Sequence, residues 1–266
     1  MTEKQKLTVH DIFKFKGVRQ LTEVRTDTAE EASACDAAGI DILVTVRENE
    51  KEVREAAPNT FLKIAVGVND PKVACERDAI SEAFDAMEKG ADAIYTGMSC
   101  KVVAAMAREM IPVVGHVGFI PYCSTWVGGF KAVGKNADDA LRVYKETLEY
   151  EDAGAIGVEM EIVPHRVAAE ISKRVKICVI SMGSGDGCDA QYLFSTDIIG
   201  TNRGHIPRHA KVYADLKTEL DRIQKMRIDA YTAFSNDVSS GAYPESKHII
   251  NIKEEEYESF MRGLDR

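Results

Sequence analysis

The stretch YEDAGAIGVEMEIVPH, residues 150–165, contains the end of one element and the start of the next. Its first residues close an alanine- and acid-rich helical pattern, and Gly154 stops it, because glycine lacks the Cβ that clashes in the left-handed cap of a helix. A short apolar run follows, of the kind found in strands buried on both faces. The same joint recurs in CDAAGIDILVTV (35–46) at Gly39 and in MEKGADAIYTG (87–97) at Gly90. A helix, a glycine and a buried strand, repeated along a chain, describe a parallel sheet with crossover helices.

Working outward from these joints, the pattern predicts strands near 21–26, 41–46, 61–68, 92–96, 112–118, 155–161, 177–182 and 197–201. Helical patterns fill 28–38, 50–57, 71–89, 99–109, 137–152, 164–174 and 188–195, and a longer one covers 208–234. Strand followed by helix eight times is the count of a closed (β/α)8 TIM barrel, which typically takes roughly 250 residues. An open doubly wound sheet is the alternative, but the glycine-rich dinucleotide loop that would favour it is missing. The expected organisation is one barrel domain over residues 1–266, with an N-terminal helical segment and a C-terminal helical extension.

The 266 residues are 45% hydrophobic and 29% charged, enough to build a sizeable core, and disorder as the main state is excluded. A formal net charge of -9 with scattered basic residues argues against nucleic acid or anionic lipid as the partner and for small molecules or other subunits. No window approaches the roughly 20 apolar residues of a membrane span, and the start MTEKQKLTVHDIFKFKG has no apolar signal core, so a cytoplasmic location is expected. The six cysteines show no zinc-like or redox-like spacing and read as free thiols, with Cys123 in a polar loop as the one candidate nucleophile.

In a barrel, chemistry gathers where strands end and βα loops begin. Glu159 and Glu161 fall there on strand six, two apart and so on one face. His116 stands on strand five between Gly115 and Gly118, glycines that would let a ligand approach the main chain. The loop YCSTWVGGFKAVGK (122–135) brings Lys131 and Lys135, able to meet an anion. SMGSGDG (181–187) sets Ser184 among glycines that can present backbone N–H groups to a carboxylate or phosphate. Arg203, His205, Arg208 and His209 crowd after strand eight, a cluster better suited to a barrel end or a subunit contact.

PVVGHVGFIP, GGFKAVGK, EIVP, GSG, GHIPRHAKVY and GAYPESKH follow one another, over residues 112–248, in the order and spacing of the ketopantoate hydroxymethyltransferase family, which the whole chain resembles. The resemblance implies a barrel of the phosphoenolpyruvate/pyruvate superfamily, assembled as a homo-oligomer, usually a decamer. It also implies transfer of a one-carbon unit from 5,10-methylenetetrahydrofolate to the small keto acid α-ketoisovalerate, with Mg²⁺ holding the keto acid and a glutamate removing its C3 proton. By the motif match that general base is Glu161, and His116 is the family's histidine.

The first half departs from the family pattern. Val46 and Ala65 stand where the resemblance implies metal-binding aspartates, and Tyr95 and Gly97 stand where it implies lysine and glutamate. Mg²⁺ requires oxygen ligands that valine and alanine lack, so no metal ligand is expected at those positions. Asp27, Glu48, Asp70 and Glu159 are conceivable replacement acids, and Arg25 or Arg47 could grip a substrate carboxylate without metal. The expectation is enolate-based aldol or retro-aldol chemistry on a small 2-keto acid or related carboxylate. A different lyase, transferase or hydrolase reaction on the same barrel, or a non-catalytic metabolite-binding homologue, is the alternative.

Overall fold

The computed structural model describes residues 5–68, 70 and 72–264. It divides the chain into two compact units, Met1–Ala214 and Asp215–Arg266. The first unit is an eight-stranded closed barrel in strictly sequential order, all of it parallel. Its strands are β1 Leu21–Arg25, β2 Ile42–Val46, β3 Phe61–Ala65, β4 Ala93–Tyr95, β5 Val113–Gly118, β6 Gly157–Glu161, β7 Cys178–Met182 and β8 Ala190–Phe194. Helices α1 Val9–Phe15, α2 Ala29–Ala38, α3 Glu50–Ala56, α4 Glu76–Glu88, α5 Cys100–Arg108, α6 Ala137–Asp152, α7 His165–Arg174 and α8 Ser195–Ile198 complete it.

The glycine joints behave as the sequence indicates: Gly39, Gly90 and Gly154 all take left-handed backbone just past a helix. Side chains alternate along each strand, and two separate apolar clusters result. The outer one contains Leu43, Ile64, Ile94, Val117, Val158 and Val179 packed with helix residues such as Ala83, Met106 and Val143. The inner one contains Leu21, Ile42, Phe61, Val114 and Ile180 inside the barrel, with Ile12 of α1 among them at the end where the strands begin. Parity thus decides which residues can reach a site inside the ring.

One expected element is misplaced. Residues 188–195, expected as helix, contain β8, and 197–201, expected as strand, begin inside the short α8. Ala190–Phe194 pairs with β1 in full register, Leu21 against Ala190 through Arg25 against Phe194, and with β7 on its other side. Closure of the ring, a non-local demand, outweighs the local helical pattern. Consequently residues 183–189 carry the chain from β7 to β8 with no helix between them.

The second unit holds α9 Leu216–Ser240, a 3-10 turn at Ser246–His248 and α10 Glu254–Leu264. The helix expected from 208 starts later because Asp215 is its N-cap, accepting from Thr218 N, and Gly241 in left-handed backbone ends it. None of the described helices is long and apolar enough to cross a membrane.

Gly118 closes β5 with φ +89°, and a Cβ there would lie 2.4 Å from the Glu161 carbonyl oxygen. Gly118→Ala is expected to destabilise the barrel by about 2–4 kcal/mol, from left-handed strain plus a clash with immovable backbone. The shift in the urea unfolding midpoint measures it.

Candidate active site

The middle of the barrel interior is polar. Glu23 of β1, Lys63 of β3, Tyr95 of β4, His116 of β5, Glu159 of β6 and Tyr192 of β8 all occupy inward positions of their strands. Lys63 is 1% exposed, and a buried ammonium is tolerated only when paired. Its Nζ donates to Glu159 Oε1 at 2.7 Å and lies 2.7 Å from Glu23 Oε1. The second contact is ion-pair proximity and not an aligned hydrogen bond, and both Glu23 oxygens are without a hydrogen-bond partner among the described residues.

Burial pushes the Glu23 carboxyl up to about 8, the Glu159 charge pushes the same way, and the Lys63 ammonium only partly opposes them. Burial also disfavours the Lys63 cation, but the charges of Glu159 and Glu23 outweigh it and hold the ammonium above its ordinary value. Near neutral pH Glu23 is therefore held protonated beside the charged Lys63 within the dry interior.

His116 joins this layer to the mouth. Its Nε2 lies 2.9 Å from the Phe119 carbonyl oxygen and 3.3 Å from Glu161 Oε2, while Nδ1 lies 2.7 Å from the Tyr95 hydroxyl and 3.9 Å from Glu159 Oε2. A carbonyl only accepts, so Nε2 carries a hydrogen whatever the charge of the ring. Proton gain and loss are thereby confined to Nδ1. Burial disfavours the imidazolium, yet the Glu161 hydrogen bond and the charges of Glu159 and Glu161 outweigh it, so His116 titrates above its ordinary value. Tyr95 is held as a phenol, its pKa raised by burial and by the Glu159 charge.

Glu161 is 7% exposed and stands at the junction of this network with a cavity of about 1340 Å³. Phe119, Phe130, Val163 and Tyr192 form apolar parts of its wall, and Lys131, Lys135, Arg208, His209 and Lys211 add a cationic rim. The loop after β5 is not structureless, since Pro121–Val127 winds into a 3-10 helix that leaves Trp126 fully out in solvent.

The structure brings Glu161, His116, Tyr95 and Glu159 together and sets Lys131 on the cavity wall. Arg25 is inward at the end of β1, paired with Asp27 at 3.1 Å and lying over the Phe194 ring. Arg47 is not at the mouth. Val46 takes the inward position, so the next residue turns outward, where Glu50, Glu82 and Asp85 hold the guanidinium. Ser184 is not available to a ligand either: it is fully buried, accepts from Val163 N and donates to the Met160 carbonyl, tying the β6 and β7 ends together. Gly115 also has a packing reason, because a Cβ there would lie 2.5 Å from the Tyr150 ring. Cys75, Cys100, Cys123, Cys178 and Cys188 are free thiols.

The sequence reading missed Glu23 and Lys63, and it read His205, Arg208 and His209 as suited to a barrel end or a subunit contact; these three line the cavity. A signal for Lys63 existed. In FLKIA it shares parity with Phe61 and Ala65, so a lysine had to point into a dry barrel.

A family model described as ketopantoate hydroxymethyltransferase matches residues 45–246. The 3-methyl-2-oxobutanoate hydroxymethyltransferase of Geobacillus sp. (strain WCH70) is 30% identical, over 87% of this chain and 89% of that one. The chain belongs to the ketopantoate hydroxymethyltransferase family. The enzyme of the same name from Staphylothermus marinus is also 30% identical, covering 96% of this chain and 99% of its own. Among solved structures, a phosphonopyruvate hydrolase complex with oxalate and Mg²⁺ superposes with TM-score 0.52 at 10% identity, over 97% of this chain and 98% of that one. A 2,3-dimethylmalate lyase of the PEP mutase/isocitrate lyase superfamily gives 0.53 at 12%, over 85% and 99%. These two likenesses concern the barrel fold alone.

The side chains present do not fit a divalent cation in the place the family resemblance implies. Val46 and Ala65 are direct register partners at the mouth and offer only carbon. Among the described residues no group of three or more His, Cys, Asp or Glu is arranged to hold a metal. The inward residue one step below Ala65 is Lys63, itself a cation.

The raised Glu23 pKa makes stability fall as pH climbs from the unfolded carboxyl value of about 4.3 to about 8, because the folded state must give up a proton it holds tightly. Glu23→Gln removes that demand. The melting midpoint of the variant relative to the parent is expected to rise steadily from pH 5 to 8.5, reaching roughly 4 kcal/mol of relative stabilisation, on the order of ten degrees, at the upper end.

Proposed function

We propose that this chain performs enolate chemistry on a small 2-keto acid, with Glu161 as the general base that removes the proton next to the keto group. The observation that carries the reading is the position of Glu161: at the C-terminal end of β6, on the inward face, touching His116 and opening on the large cavity. His116 keeps a hydrogen on Nε2 toward the Phe119 carbonyl, and that nitrogen lies 3.3 Å from Glu161 Oε2, which helps to hold the carboxylate in place. The buried Phe119 and Tyr192 keep water from the enolate, and the cationic rim with Lys131 and the inward Arg25 suits the substrate carboxylate. The cavity leaves room beside a keto acid for a larger anionic one-carbon donor, consistent with hydroxymethyl transfer as in the named relatives.

Exchange of the C3 hydrogen of α-ketoisovalerate for deuterium, followed by NMR, tests the base without requiring the one-carbon donor. Glu161→Gln is expected to slow exchange by about 10²- to 10⁴-fold with the fold intact. EDTA is expected to leave exchange unchanged, because Val46 and Ala65 give a metal nothing to bind. Exchange that survives in Glu161→Gln would remove the base assignment.

The same reading makes the chain a cytoplasmic homo-oligomer. The exposed Leu220, Ile223, Tyr231, Phe234, Tyr257 and Phe260 of the 215–266 unit support it, since so much apolar surface on helices needs a cover. Light scattering on the purified protein is expected to give a multiple of the 29.3 kDa chain mass.

A further inference from the structure

We infer that Lys63 is a positioning residue for the deprotonation step, acting through Glu159 to limit the positive charge on the His116 ring beside Glu161. The inference rests on the reading of Glu161 as the base. It follows from a chain of contacts that runs up the barrel interior from β1 to the mouth.

Each contact has a direction. Lys63 takes Oε1 of Glu159, and the other oxygen of that carboxylate, Oε2, faces His116 Nδ1 at 3.9 Å. Nδ1 is the only ring position where His116 can gain or lose a proton, because the Phe119 carbonyl fixes the hydrogen on Nε2. The groups facing the ring are Tyr95 of β4 on Nδ1 and Glu161 of β6 on Nε2, with Glu159 of β6 near Nδ1, and Tyr150 of α6 packs against the strand at Gly115. On its other side Glu159 faces Lys63, with Glu23 and the Tyr192 hydroxyl nearby, and Lys63 supplies the positive charge paired with both glutamates.

Remove that charge and Glu159 is a buried carboxylate with one remaining cation to make, the ring beside it. Nδ1 would take up a proton from solvent and His116 would become imidazolium. Glu161, now 3.3 Å from a full positive charge, would hold an abstracted proton less well and be a weaker base. Lys63 touches no substrate, being 1% exposed below the mouth, and it reaches His116 through Glu159 and through the Tyr95 ring, whose centroid lies 5.6 Å from Nζ.

The test measures two quantities in one set of variants: the C3 exchange rate across pH, and the titration of His116 by ¹⁵N NMR. Lys63→Met is expected to slow exchange roughly 10- to 100-fold at pH 7. It is also expected to carry the His116 titration upward by about one pH unit or more, with exchange recovering as pH passes through it. Lys63→Met with Glu159→Gln removes both charges, and is expected to regain most of the lost rate and bring the His116 titration below that of the parent. Glu159→Gln alone, which leaves Lys63 beside Glu23, is expected to lower the His116 titration and stands in should Lys63→Met fail to fold. A His116 titration unmoved in Lys63→Met, or in Glu159→Gln where that variant stands in, overturns the inference, as does a double variant no faster than the single. Failure of the base reading is separate: exchange would survive in Glu161→Gln, while the ¹⁵N titrations would still decide the role of Lys63.

Discussion

Closing eight short parallel strands into a ring leaves every second residue of each strand facing a dry interior with no route to water. Everything unusual in this molecule follows from that constraint. Apolar residues fill the lower interior, with Ile12 among them, but the next level holds two glutamates, a lysine, a histidine and two tyrosines. Such groups persist there only as a mutually compensating set, with the Lys63–Glu159 pair at its centre and Glu23 kept neutral by its surroundings. The site at the mouth sits on top of this set and takes the protonation state of its histidine from it.

This arrangement separates two jobs that one metal ion often does together. A divalent cation both grips a keto acid and stabilises the charge that develops on it. Here the carbon side chains Val46 and Ala65 occupy the mouth, and the nearest fixed cation on β3 points one level down. On the proposed reading, gripping falls to the rim and Arg25, and control of charge falls to the buried layer.

Most of the fold was legible because its signals are local. A glycine after a helix and a β-branched run after the glycine identify three strands, and the local apolar runs read outward from them identify four more without reference to anything distant. The eighth failed for the opposite reason: Ala190–Phe194 becomes a strand by pairing with Leu21–Arg25, at the far end of the chain. The site divides in the same way. Glu161 and His116 were readable from strand-end position and motif. Parity alone would have excluded Arg47 and admitted Lys63, since Val46 and Lys63 are both inward. What parity could not supply is the partner of Lys63, because Glu159 lies ninety-six positions along and across the barrel.

The helix-free return over residues 183–189 bears on how relatives of this chain could acquire new substrates. It runs close against its neighbours: a side chain at Gly183 would strike His209, one at Gly185 His165 and one at Gly187 Ala169. That wall of the mouth has neither slack nor space, so insertions and bulky replacements are barred from it. The longer segment after β5, Pro121–Val127, is open at Trp126, which stands in solvent, while its Tyr122 donates to the Gly97 carbonyl. Divergence in specificity is therefore channelled to one side of the opening, while the side held by glycines stays fixed.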